Sequence, residues 1–127
     1  MTAFRRDLYA GLGTAREDRA DCAVRALAVA TGRPYAEMQR ELARAGRWRH
    51  TPTAVTGVFA KVAESHGGRY WQPWRPLALR HFMAGAGSRG SWAIFSDTGR
   101  HLFAARDGTI HDWDYRPGLR VYSAWQF

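Results

Sequence analysis

Cysteine occurs once in the chain, at position 22, and lysine once, at position 61. A single cysteine excludes an internal disulfide and a multi-cysteine zinc site. A thiol without a second cysteine suits a reducing compartment or a chemical role. With one lysine, the net charge of +8 rests almost wholly on arginine. The arginines are spread along the chain rather than gathered into one run, which fits a codon bias better than a dedicated phosphate-binding segment. Nucleic acid is therefore the second choice of partner. Met1 to Ala10 has no apolar run of signal-peptide length, and nothing approaches a membrane span. The expectation is a soluble, cytoplasmic protein. No internal repeat or low-complexity tract is present. What remains is 127 residues, 46% hydrophobic and 13% aromatic, which is enough for one domain with a real core.

The chain is organised around Asp21-Cys22-Ala23-Val24-Arg25-Ala26-Leu27-Ala28-Val29-Ala30-Thr31-Gly32. Helix formers run from Ala23 to Ala30 with one charge, Arg25, and Gly32 stands at the C-terminal cap position. A helix with so little polar face has to be surrounded by the rest of the fold. Asp21 as N-cap places Cys22 in the first turn, where the positive end of the helix dipole favours the thiolate.

Residues 1–20 are expected as a loop-rich lead-in. Pro34 opens a second helix reaching Ala45, with Tyr35, Met38, Leu42 and Ala45 inward. Thr51-Pro52 opens a third, with Val55, Val58, Phe59 and Val62 on one stripe and Gly67-Gly68 at its end. Tyr70 to Pro76 is extended and aromatic, Leu77 to Met83 a short fourth helix, and Gly85 to Gly90 a flexible loop. The period then changes to alternation. Ser91 to Ser96 is a strand, apolar on both faces and hence central. Arg100 to Arg106 and Thr109 to Asp114 are strands joined at Asp107-Gly108, a strong hairpin signal. Leu119 to Phe127 closes an antiparallel meander. Helices first and a meander afterwards is an α+β layout.

A two-residue turn at Asp107-Gly108 sets Arg106 against Thr109, and counting back sets His101 against Asp114 and Phe103 against Asp112. Alternation then sends His101, Asp112 and Asp114 to one face, with Asp114 directly across and Asp112 one diagonal step away. A bulge at the turn would move both aspartates to the other face. Histidine with a carboxylate on the next strand is the base-plus-orienter half of a catalytic triad. The Cys22 helix would complete it by packing end-on against that face. The helix terminus and an imidazolium lower a thiol's usual value near 8.5 to below 7. The imidazole then pairs with the thiolate and protonates the leaving group. The Cys22 backbone N–H and one upstream side chain would hold the oxyanion.

The remaining histidines, His50, His66, His81 and His111, have no metal-ligand spacing and are expected at the surface or in packing. No metal or cofactor is called for. The six tryptophans are expected in core and cleft wall, with base stacking by Trp71 and Trp74, beside Arg69 and Arg75, as the alternative.

Asp21 to Gly32 with Pro34-Tyr35 resembles the opening of small papain-like proteins of bacterial and bacteriophage genomes. Arg100-His101-Leu102-Phe103-Ala104-Ala105, the Asp107-Gly108 turn, Asp112-Trp113-Asp114 and Val121-Tyr122 are similar to that family's histidine hairpin and closing strand. The likeness runs from Asp21 onward, in the order cysteine, histidine, acid. It implies a papain-like cysteine peptidase fold, with the Cys22 helix central, and hydrolysis of peptide or isopeptide bonds through a thioester. By position, Cys22 resembles the nucleophile, His101 the base and Asp112 the third member. Asp112-Trp113 is similar to the Asn-Ser-Trp stretch of larger papain-like peptidases, which sets Asp112 ahead of Asp114. The family's oxyanion glutamine is missing: no Gln or Asn precedes Cys22, leaving Arg16 or Arg19 as donor. A protein or peptide substrate is the implied partner. The alternative is a non-catalytic papain-like module binding nucleic acid through its basic, aromatic surface.

Overall fold

Strand β4 (Ser91–Ser96) is central, as its two apolar faces demand. Every residue from Trp92 to Ser96 is buried. The computed structural model describes residues 3–5, 22–46, 57–96, 101–111 and 118–127. Around β4 stand β1 (Ala3–Arg5), β2 (Arg69–Trp71), β3 (Leu77–Ala78), β5 (His101–Arg106), β6 (Thr109–His111) and β7 (Arg120–Gln126). Their order across the sheet is β1-β6-β5-β4-β7-β2, and β3 also pairs with β7. All pairs are antiparallel except β1 with β6.

Two expectations about this layer are corrected. The meander covers only β4, β5 and β6, because β7 crosses to the other edge of β4. The burial of β7 explains this. Val121 and Ala124 pack into one core and Trp125 into the other, so β7 needs cover on both faces. The lead-in also contains a strand, β1, paired in register with Thr109 to His111. Three residues are too few for alternation to announce a strand; β1 exists because β6 offers an edge.

Among the described residues, helices α1 (Cys22–Thr31), α2 (Tyr35–Arg44), α3 (Val58–Ser65) and α4 (Leu79–Ala84) cover the sheet. Helices α1, α2 and α3 share one core with Ala93, Phe95, Leu102 and Trp125. On the other face Phe82 and Met83 of α4 pack with Trp92, Ile94, Phe103, Ile110 and Val121. The protein is thus α+β, with its N-terminal helices on a largely antiparallel sheet. Residues 51–56, where the third helix was expected to begin, lie outside the described residues. Leu77 and Ala78, expected as helix, instead form β3 against Val121 and Arg120.

Helix α1 is surrounded as its composition requires, with every residue from Ala23 to Ala30 buried except Arg25. Gly32, at φ 69°, ends it: its N–H donates to Val29 O and the Arg33 N–H to Ala28 O. That pair is the two-bond glycine cap expected of this position. Arg106 adds a third donor, Nη1 to Val29 O at 3.3 Å. A cation on the last carbonyls complements the helix dipole. Arg106→Ala should therefore cost about 1 kcal/mol, a fall of roughly 4 °C in thermal midpoint. An unchanged midpoint would show the bond to be idle.

The loop expected over Gly85 to Gly90 is ordered, with a 3-10 turn at Ala86–Ser88. Gly87 is buried, and a Cβ there would run into the Phe82 ring. Gly87→Ala should destabilise by about 1–3 kcal/mol, measurable by urea denaturation. A variant as stable as the parent would mean that the ring simply yields.

Candidate active site

Cys22 is the first residue of α1, half-buried against the helical core and outside any disulfide. Asp21, its expected cap, and Arg16 and Arg19, the expected oxyanion donors, lie outside the described residues. The direction of α1 follows from its far end. Val29 meets Arg106 at the end of β5, and Leu102 near the strand's start packs in the same core as α1. Ten helical residues span roughly 14 Å and six strand residues roughly 17 Å. The helix therefore runs alongside β5 with Cys22 toward the end where His101 begins the strand.

Arg25 lies three residues after Cys22, on the same side of the helix. Burial lowers its guanidinium from the ordinary value, and the electrostatic interaction with Tyr35 partly opposes this. Arginine stays charged regardless. It places a cation within one helical turn of the thiol, a feature sequence reasoning passed over.

His101 is buried, with 7% of its surface exposed. It pairs with Ser96 and stacks over Phe103, ring centroids 5.7 Å apart and planes 25° apart. Phe103 belongs to the core shared with α4, whereas α1 packs with Leu102 on the opposite face. The expectation that α1 would abut the histidine-bearing face is thereby corrected. Helix and imidazole share one end of the sheet but lie on opposite sides of it. Alternation sets the histidine's parity within β5, and the large apolar area of α1 takes the face of Leu102 and Phe95.

The same end of the sheet holds what sequence reasoning missed. Among the described residues the buried polar side chains are Ser96, His101 and Ser123. Ser96 pairs with His101, its Oγ donating to the His101 carbonyl at 3.4 Å, and Ser123 pairs with the adjacent Phe95. Between these rungs β7 shifts register, with Phe95 opposite Ser123 but Ser96 opposite Val121. A bulge twists a strand and re-aims its side chains, and bulges concentrate beside functional sites. Arg120-Val121-Tyr122-Ser123 has no glycine that would have signalled it. Ser96 and His101 share the face of Phe103, whereas Ser123, opposite Phe95, lies on the face of α1. Buried polar groups are otherwise avoided, so this end of the sheet is the strongest pointer to a site.

The hairpin follows the count made from sequence. Arg106 pairs with Thr109, Ala105 with Ile110 and Ala104 with His111. Asp107 at φ 50° and Gly108 at φ 79° form the two-residue turn with both central residues left-handed. No bulge intervenes as far as His111; Asp112 and Asp114 lie outside the described residues. Of the other histidines, His66 Nε2 contacts Glu41 Oε1 at 2.8 Å and ties α3 to α2. His81 is exposed on α4, His111 sits on β6, and His50 is outside the described residues. Among the described residues no three of His, Cys, Asp and Glu form a group that could hold a metal ion. No described helix is long and apolar enough to cross a membrane.

No family model, curated protein or solved structure matches the chain. Its class is therefore defined by its own structure: an α+β domain with a cysteine at the tip of a buried helix and buried polar side chains at the neighbouring end of the sheet.

Proposed function

We propose that the protein is a cysteine-dependent hydrolase of peptide or isopeptide bonds with a papain-like arrangement, Cys22 as nucleophile, His101 as base and Asp112 as the carboxylate that orients the ring. The observation that carries this is the burial of His101 with Ser96 and Ser123 at the end of the sheet toward which α1 points Cys22. Burying three polar side chains at one end of the sheet, Ser96 and His101 on one face and Ser123 on the other, opposes folding unless each is satisfied, and such groups collect where chemistry needs them. The resemblance of the Cys22 and His101 stretches to papain-like proteins supports the same roles.

In the reaction the Cys22 thiolate attacks the carbonyl carbon and a C–S bond forms. The C–N bond then breaks as the imidazolium of His101 protonates the departing amine. Water, giving its proton to His101, attacks the thioester; the C–S bond breaks, the acid leaves and the thiolate–imidazolium pair is restored. The Cys22 N–H and Arg16 or Arg19 are proposed as oxyanion donors. The half-buried cation of Arg25 supports the thiolate from below. For His101 to serve, the ring must swing off Phe103 and round the start of β5.

The stacked position of His101, on the face away from α1, is the one observation favouring the second reading, a binding module without chemistry. Iodoacetamide separates the two. A hydrolase should be alkylated at Cys22 at a rate that stays high below pH 7, and His101→Asn should return the pH dependence to that of an ordinary thiol near 8.5. An ordinary thiol profile in the parent protein would overturn the proposal.

A further inference from the structure

We infer that the sheet edge formed by β2, β3 and the link between them, laid along β7, is a binding site for single-stranded nucleic acid, independent of the chemistry proposed at Cys22. The positive charge looks scattered in sequence, but folding sorts it. From Ser65 to Ser96 and from Gly118 to Phe127 there is no aspartate or glutamate, while Arg69, Arg75, Arg80, Arg89 and Arg120 are present. All five are exposed. In the helical layer, by contrast, acidic groups accompany the basic ones: Glu37 bonds Arg33 at 3.4 Å, and Glu41 and Glu64 lie on α2 and α3.

Strand pairing and short links bring four of those arginines to one edge, with Arg89 at its end, beside the start of β4. Arg69 pairs with Gln126, whose side chain also lies next to Gly90, the neighbour of Arg89. At the other end Arg120 pairs with Ala78, and Leu79, the neighbour of Arg80, donates its N–H to Leu119 O. Arg75 lies on the link between β2 and β3. The stripe is roughly 20 Å long, six residues of extended chain. Arg69, Arg75, Arg80 and Arg120 stand on segments without Asp or Glu, and Asp107 is an acidic neighbour, its N–H donating to the Gly90 carbonyl beside Arg89. Such a row presents a largely positive field to a polyanion.

The middle of the stripe carries the second feature. Trp74 is 89% exposed, and the Arg75 guanidinium carbon lies 4.8 Å from its ring centroid. Tyr70, on the same edge, is 47% exposed and leans on Trp125. Trp71, the other candidate for stacking, is instead packed against Phe82 and Trp92 and is not available. An indole left in water beside cations is a platform for an unstacked base, and stacking needs a strand whose bases are free. Guanidinium groups match phosphate oxygens in pairs. A bilayer is the poorer fit, since one free indole supplies little apolar area to insert.

The test is fluorescence anisotropy of a fluorescein-labelled twenty-residue oligothymidine over a range of salt concentrations. Trp74→Ala should weaken binding about 5- to 150-fold. Each of Arg75→Gln and Arg120→Gln should reduce the slope of log K against log salt by about 0.7. Arg33→Gln and Arg40→Gln, on the helical layer, should have a smaller effect than either edge variant. These side chains are exposed, and an unchanged circular dichroism spectrum verifies folding. Binding indifferent to Trp74 and to the edge arginines would overturn the inference. So would Trp74-dependent binding of phosphatidylserine vesicles or polyglutamate in the absence of oligothymidine binding. Alkylation of Cys22 should be the same in Trp74→Ala as in the parent, so failure of one proposal leaves the other standing.

Discussion

Cys22→Ala should abolish hydrolysis, lowering turnover of fluorescent casein or of an isopeptide-linked peptide at least about 10³-fold. It should equally abolish covalent capture of a peptidyl chloromethyl ketone, read as loss of the adduct in the intact mass. The size of the effect follows from the chemistry. The chain contains no other thiol, and without a sulfur there is no acyl-enzyme to divide one high barrier into two lower ones. Stability should hardly change, because Cys22 is only half-buried at the helix tip. Residual turnover by Cys22→Ala within tenfold of the parent would mean that the reaction, if any, belongs to other groups. Cys22→Ser is the sharper comparison, since it keeps size and a hydroxyl while removing the readily ionised thiol.

The largest loss of stability is expected at Phe95. Its ring is fully buried on the central strand and meets Phe59 edge-on, centroids 5.0 Å apart. It thereby joins α3 to the middle of the sheet, in the core that also holds α1. Removing the ring forfeits its transfer free energy, its aromatic contact and the packing of the cavity walls, about 3–5 kcal/mol in all. Domains of this size are held by about 5–15 kcal/mol. With a urea slope near 2 kcal/mol/M, the midpoint should fall by about 2 M. Trp74→Ala, which removes a larger but solvated ring, should shift it by less than about 0.3 M. If Phe95→Ala behaved like Trp74→Ala, β4 would not be the structural centre described above.

Much of this architecture was legible in local pattern. The apolar surface of Ala23 to Ala30, broken only by Arg25, demanded a buried helix, and α1 is one. Asp107-Gly108 called for a two-residue hairpin, and the pairing of Arg106 with Thr109 follows. Ser91 to Ser96 was apolar on both sides and lies at the centre of the sheet. Each of these depends on neighbours a few residues apart, where spacing and φ preference are decisive. The candidate site was only half legible. Cys22 at a helix tip and His101 at a strand start could be named, whereas Ser96 and Ser123 are ordinary serines until β4 pairs with β5 and β7.

By itself the sequence determined helices α1 and α2, strands β4 and β5, the tight hairpin beyond His101, and the burial of the helix behind Cys22. Only the tertiary structure decided that β7 crosses to β4, that β1 joins β6, that α1 and the His101 ring take opposite faces, and that Arg69 and Arg120, far apart in the chain, both lie along the β7 pairing with β2 and β3. The reason is physical. Alternation fixes which side chains of a strand go together, but the face a helix chooses and the edge a strand finds depend on apolar area and open hydrogen bonds contributed by segments far away in the chain.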